Sequence, residues 1–394
     1  MENLTYKPNS TELDLALSGK IDSNNASKIE KESMDLISQY SPASVLIDLE
    51  KLEYISSAGL RAVLKIRKKV ADTRLINASP AVYEIFDVTG FTEMLDIQKA
   101  YRVVSVEGCQ VIGEGANGKV YRIDPETIVK VYINDDALPE IHRERELART
   151  AFISGVPTAI PYDVVRIEGG GYGSVFELLD TESYLDLLKE GEKSVDEIAR
   201  MGVELLKTIH ATEVTPGTLP DMKEIAMKWV DTAKDYISVE ELSKIRSMIE
   251  DIPSNNHMLH GDYHVKNIMY MNGESLLIDM DTICYGHPIF EFAGMYNTYV
   301  GFDEINPANA EVFLGIPYET GGELFDKSLR YYLEGMDEEA IKAIRDKAAV
   351  IGHLHIINHF VIRNKQDSTR GRALIEHSSK KISSILPTVS DLVF

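Results

Sequence analysis

Short strand-like runs alternate with helix-like runs over residues 11 to 96. Thr11 to Leu17 reads as a strand. Asn24 to Tyr40 then sets Ala26, Ile29, Leu36, Ile37 and Tyr40 on one helical stripe, with Ser23 or Asn24 available as its cap. Val45 to Leu49 is a second strand, and the turn at Ser56 and Ser57 opens a helix that runs through Val70. Arg74 to Ile76 followed by Pro80 to Val88 repeats the strand-then-helix order. Such alternation predicts a small α/β layer structure.

The pattern turns β-rich between Tyr101 and Glu107, and a glycine-containing segment starts at Gly113. Lys119 to Ile123, the turn Asp124-Pro125-Glu126 and Ile128 to Ile133 read as a hairpin. From Ser194 onward helices dominate. Ser194 and Glu197 form a capping box ahead of Ile198, Met201, Leu205 and Ile209, which share one helical face. No Pro/Gly/Ser-rich tether separates the two halves, so a fixed or hinge-like junction is expected.

Length and composition narrow the classes. At 394 residues the chain exceeds one typical domain, and 44% hydrophobic content is that of an ordinary globular protein. It has no apolar run of membrane-spanning length and no secretory-type N-terminus, so a cytoplasmic location without membrane association is expected. Cys109 and Cys284 stand far apart, which suggests neither a disulfide framework nor a thiolate metal site. A net charge of -22 opposes attraction to nucleic acid phosphates, and no nucleic-acid partner is expected.

Candidate chemistry lies in the second half. Val111 to Val120 contains GxGxxG at Gly113, Gly115 and Gly118. Dinucleotide folds place a helix after that pattern, whereas here a hairpin follows. Glycines between two strands let backbone N–H groups come close to nucleotide phosphates. Lys130 lies among β-branched residues in the hairpin's second arm, where phosphate binding would explain a cation. An orienting carboxylate is offered by Glu144 and Glu146 in the helical run after it, and Glu146 is the expected partner.

His260-Gly-Asp-Tyr-His-Val-Lys-Asn267 is the strongest signal. Phosphoryl transfer needs a carboxylate to take the acceptor hydroxyl's proton and oxygen ligands for magnesium. Asp262 supplies the first and Asn267 the second. Leu276-Leu-Ile-Asp-Met-Asp281 is an apolar strand ending in carboxylates, which suit a hard cation, and Asp279 is the expected main ligand.

HGDxHxxN followed by IDxD resembles the aminoglycoside phosphotransferase and choline kinase-like family, over roughly residues 108 to 394. The resemblance implies a bilobal protein-kinase-like α+β fold. It implies Asp262 as catalytic base, Asn267 and Asp279 as magnesium ligands, Lys130 as the phosphate-binding lysine, and supporting roles for His260 and His264. ATP contacts are expected along Gly113, Gly115, Asn117, Gly118 and Val120, and at an adenine hinge in Phe176-Glu-Leu-Leu179, hence Glu177 and Leu179. Glu291 stands where that family usually has aspartate. Protein kinases of the eukaryotic type fit less well, since His264 replaces their lysine and IDMD replaces DFG.

Val45 to Leu60 resembles STAS domains, the anti-sigma-factor antagonists, over about residues 4 to 98. In that family a serine at the helix start is phosphorylated, which aligns with Ser57. A helix N-terminus tolerates phosphate, although Ser56 or Ser57 equally serves as an N-cap. The expected organisation is a STAS domain at 1–100, a kinase-like N-lobe at 101–180 and a helical C-lobe at 181–394. A small-molecule or protein hydroxyl acceptor is expected, with a signalling partner through the STAS domain; the alternatives are a non-enzymatic nucleotide-binding, partner-switching scaffold, or a protein kinase acting on STAS serines. His353, His355 and His359 read as core or acceptor-pocket histidines. Tyr285, Tyr296 and Tyr299 read as core packing, with the lining of a pocket for a cationic acceptor as the alternative, and Trp229 reads as helix packing.

Overall fold

Val45, Ile47 and Leu49 are buried while the residues between them are not, the period-two signature of a strand with one face in a core. The structure is a computed structural model that describes residues 3–9, 11–115, 118–134, 137–179 and 181–394. It divides into two units. One takes the chain up to Ser105 together with Val164–Gly169, and the other takes Val106–Asp163 and Gly170–Phe394.

The first unit is a five-stranded sheet in sequential order. Leu4–Pro8 and Glu12–Ile21 pair antiparallel, and Ser44–Ile55, Asp72–Ala78 and Asp96–Lys99 follow in parallel. Parallel neighbours need crossover helices. Ala26–Tyr40, Ser57–Lys69 and Pro80–Val88 supply them, and each buries one stripe. Arg102–Val104 pairs in parallel with Val165–Ile167, which groups that later segment with this unit.

The first helix differs from expectation at its cap and along its buried stripe. Asn25, not Ser23 or Asn24, holds the cap position of the first helix. Its side chain makes no cap bond, because it accepts from Asp22 N at 2.9 Å and donates to Lys20 O at 2.8 Å. The buried stripe of that helix runs through Ala26, Ile29, Ser33 and Ile37, and Tyr40 lies outside it against Tyr6.

Ser56 caps the helix Ser57–Lys69, its Oγ accepting from Gly59 N at 3.4 Å, and Ser57 is left exposed as the first helical residue. Gly59 is fixed by packing. A Cβ there would lie 2.6 Å from Ile55 Cγ1 and 2.8 Å from Ile21 Cγ2.

In the second unit, Gln110–Glu114, Gly118–Asp124, Thr127–Tyr132 and Tyr172–Glu177 form an antiparallel array with Thr127–Tyr132 inside it. The helix Leu138–Ile153 follows that hairpin. Helices then carry most of the chain, among them Val195–Ala211, Met222–Thr232, Ile289–Tyr296, Tyr318–Tyr332, Glu338–Ile362 and Thr369–Ile385. The Ser194/Glu197 capping box forms as expected. Two small ribbons interrupt the helices: Ile268–Met271 pairs with Glu274–Leu277, and Met258–Leu259 with Cys284–Tyr285. Among the described residues, no helix is long and apolar enough to cross a membrane.

Cap and exposed serine separate experimentally. Ser56→Ala is expected to cost about 1 kcal/mol of stability through the lost cap, and Ser57→Ala to stay within about 0.5 kcal/mol. Urea unfolding of the full chain measures both. Equal losses would contradict the capping assignment.

Candidate active site

Lys130 lies in Thr127–Tyr132 with neighbours on either side in the sheet, paired in register with Val120 and Ser174. An ammonium held at 16% exposure needs charged partners. It has two. Nζ lies 2.8 Å from Glu144 Oε1 and 3.2 Å from Asp279 Oδ1. Burial works against the charge, but the Asp279 and Glu144 carboxylates outweigh it and raise the Lys130 pKa well above its ordinary value.

This corrects the expected partner. Glu144 pairs with Lys130, whereas Glu146 points away, its side chain 69% exposed and only 3.8 Å from Arg149. Two residues along a helix is a rotation of about 200°, so one of the two must face away from the sheet. The inward face of Leu138–Ile153 carries Ile141, Glu144, Leu147, Ala148 and Ala151. Glu144 also accepts from the Tyr132 hydroxyl through its second oxygen.

The loop between Met258–Leu259 and Ile268–Met271 is stitched to the segment that carries Asp279. Ile278 N donates to Asn267 O at 3.0 Å, and Thr282 Oγ1 donates to His260 O at 2.9 Å. Gly261 has φ 84°, and a Cβ there would sit 2.4 Å from Thr282 O, so glycine is needed for both reasons. The carboxylate of Glu291 accepts from His260 N at 2.6 Å and Gly261 N at 3.0 Å. His210 Nε2 stands 3.6 Å from the same carboxylate.

Within this frame Asn267 Nδ2 donates to Asp262 O at 3.0 Å and lies 3.3 Å from Asp262 Oδ2. Asp262 Oδ2 is 3.4 Å from His264 Nε2. Burial opposes ionisation of Asp262, yet the hydrogen bond and charge interaction with His264 prevail and hold its carboxyl below the ordinary range. Asp262 N points at His260 Nδ1 from 3.3 Å, which makes that nitrogen an acceptor; burial keeps the ring neutral and its pKa low. Asp279 adopts φ 62°, uncommon for a residue with a Cβ. Burial, together with the Asp279 charge, pushes Asp281 up to about 7.

The glycine segment divides in its requirements. A Cβ on Gly118 would meet Val131 O at 2.1 Å, so this glycine is demanded by the neighbouring strand, while Gly115 faces open space and donates to Gly118 O at 3.0 Å. Gly113 would tolerate a Cβ, 3.7 Å from Val120. Asn117 lies outside the described residues. Glu177 pairs with Thr127 at the end of its strand, and Leu178 N donates to Glu126 O at 2.7 Å just before Leu179. Sequence reasoning missed His210 and Thr282; a lone histidine beside Ile209 on the apolar face of Val195–Ala211 was the signal for the first, and Thr282, next to Asp281, offered none.

The donor set fits a hard divalent cation. Asp279 offers a carboxylate, and Asn267, with its Nδ2 engaged on Asp262, retains an amide oxygen as its metal-binding atom.

The fold and this constellation define a protein-kinase-like phosphotransferase carried beside a STAS domain. Residues 108–323 match the phosphotransferase enzyme family termed APH, and residues 4–104 match the STAS domain. The chain belongs to that phosphotransferase family, with a STAS domain at its N-terminal end. A Bordetella bronchiseptica protein named as the anti-sigma factor antagonist BtrV is 34% identical over 85 residues, covering 21% of this chain and 72% of that protein. Among solved structures, aminoglycoside phosphotransferase APH(4)-Ia in ternary complex with AMP-PNP and hygromycin B matches at a TM-score of 0.50 and 14% identity, covering 71% of this chain and 94% of that one. ADP-bound APH(2'')-Ib matches at 0.47 and 18% identity, covering 79% and 99%.

Removing the carboxylate that holds Lys130 should be felt without any ligand. Glu144→Ala is expected to cost about 1–3 kcal/mol, because it strands the Tyr132 hydroxyl and the lysine, whereas Glu146→Ala should stay within about 0.5 kcal/mol. Denaturant midpoints decide, and the reverse order would restore Glu146 as the partner. Likewise Gly118→Ala should destabilise the hairpin and Gly115→Ala should not.

Proposed function

We propose that this chain is an ATP- and magnesium-dependent phosphotransferase acting on a hydroxyl acceptor, with the STAS domain as its regulatory or partner-binding module. The observation that carries the reading is the meeting of Lys130, Glu144 and Asp279 at 2.8 and 3.2 Å, beside a loop that holds Asp262 against Asn267. The APH-type structure in complex with AMP-PNP supports nucleotide as the donor.

Each residue then has a task. Lys130, oriented by Glu144, binds oxygens of the nucleotide phosphates in place of its bond to Asp279. The backbone around Gly113 and Gly115 lies over the same phosphates, and Glu177 to Leu179 receives the adenine. Asn267 and Asp279 would hold magnesium, which neutralises charge on the phosphates when bound. The acceptor hydroxyl oxygen forms its bond to the γ-phosphorus as the bond from that phosphorus to the β–γ bridging oxygen breaks. ADP leaves with that electron pair, and the hydroxyl proton passes to Asp262. Asp262 is ionised at neutral pH because its carboxyl lies below the ordinary range.

Ser57 is the proposed modification site of the STAS module, since Ser56 takes the capping duty and leaves its neighbour exposed. A charge placed there would abruptly change a docking surface.

Asp262→Asn is expected to lower ATP-dependent phosphoryl transfer by about 10²–10⁴-fold with protein stability retained. Counting labelled phosphate moved from γ-labelled ATP to an acceptor panel measures it, and parental rates in the variant would refute the role. In the parent enzyme the rate should fall only as pH drops below the ordinary carboxylate range, because the base form persists above the depressed pKa.

A further inference from the structure

Lys130 and Tyr132 stand two apart in Thr127–Tyr132, so their side chains leave the same face of the sheet, and Ser174, paired in register with Lys130, joins them there. An ammonium and two hydroxyls side by side in a sheet interior need polar partners. The helix Leu138–Ile153 brings one carboxylate to them, that of Glu144.

Glu144 divides its oxygens between two partners. Oε1 lies 2.8 Å from Lys130 Nζ, and Oε2 accepts from the Tyr132 hydroxyl. Tyr132 is 4% exposed and Ser174 1%, so neither hydroxyl can turn to water instead. A tyrosine has a single hydroxyl proton. Since that proton goes to the carboxylate, the Ser174 hydroxyl, 3.3 Å from Tyr132 Oη, is the donor in the second contact. A directed chain results, from Ser174 to Tyr132 to Glu144, and it ends at the ammonium. Burial and the Glu144 charge push the Tyr132 pKa well above its ordinary value, so the hydroxyl stays a donor at neutral pH.

Packing alone does not call for this hydroxyl, because phenylalanine would fill the same space. What the hydroxyl adds is constraint. A carboxylate held through one oxygen can rotate or follow its partner. Turning Glu144 here would break the lysine contact and also leave a buried hydroxyl unpaired. The constraint matters at one step of the proposed reaction. When phosphate oxygens replace Asp279 on Lys130, Glu144 is the carboxylate that still holds the ammonium in place.

We propose that Tyr132, supported by Ser174, is a positioning residue for the phosphate-binding lysine: it fixes Glu144 through its second oxygen, so that the lysine–glutamate pair stands assembled before the nucleotide arrives. This rests on the phosphotransferase reading and adds a residue to its machinery. The phosphates then meet a preformed ammonium site, and the helix Leu138–Ile153 need not move to make one.

Tyr132→Phe keeps the ring and removes only the hydroxyl. Calorimetric titration of the full chain with magnesium-AMP-PNP and with adenosine separates positioning from general support of the fold, since adenosine has no phosphate for Lys130 to bind. Tyr132→Phe is expected to weaken AMP-PNP binding about tenfold and to leave adenosine binding unchanged. Ser174→Ala, which leaves the tyrosine in place, should shift AMP-PNP affinity the same way by about threefold. In a Glu144→Ala background Tyr132→Phe should add nothing further, because the carboxylate it holds is gone. Parental AMP-PNP affinity in Tyr132→Phe, an equal loss of adenosine binding, or full additivity with Glu144→Ala would each overturn the positioning role while the nucleotide site stands. A parent chain that binds neither ligand would bring down the phosphotransferase reading, and the proposal with it.

Discussion

Lys130 holds Glu144 and Asp279 together, and the candidate active site is arranged around that ammonium. A lysine this buried would ordinarily lose its proton or be expelled to solvent. Here two carboxylates, one from the helix that follows the hairpin and one from the end of a distant strand, reverse the balance and keep it charged. The Tyr132 hydroxyl completes the arrangement by taking the second oxygen of Glu144. Without nucleotide, Asp279 satisfies the lysine. In the proposed reaction phosphate oxygens take its place and leave the aspartate for the metal, so one contact serves both states.

Much of this was legible in the sequence because the chemistry is local there. The spacing of Asp262 and Asn267, five residues apart in one loop, brings them within 3.3 Å. The alternation in Val45 to Leu49 and the stripe on Ala26, Ile29 and Ile37 likewise describe single elements. What escaped was set by tertiary packing. Glu144 and Glu146 are chemically equal in the sequence, and only the docking of their helix through Ile141, Leu147 and Ala151 decides which faces Lys130. Asn25 takes the cap position expected of Ser23 or Asn24, and its side chain is drawn to Asp22 N and Lys20 O instead of the helix.

Backbone constraints account for residues whose purpose the motif alone misstates. Gly118 belongs to the phosphate-loop pattern, yet its missing Cβ is required by the carbonyl of Val131. Gly261 is needed by a left-handed φ and by Thr282 O together. Asp279 adopts a left-handed conformation with a full side chain, the kind of strain that persists only where surroundings over-determine it. Those surroundings are the bond from Ile278 N to Asn267 O on one side and the Lys130 ion pair on the other.

Glu291 explains how such a loop stays in place. Burying a carboxylate at 1% exposure is costly unless its oxygens are fully engaged. Both are: one oxygen takes the amide of His260, the other the amide of Gly261, and His210 stands close to the first. The anchor therefore grips the backbone and leaves the side chains of Asp262, His264 and Asn267 free for chemistry.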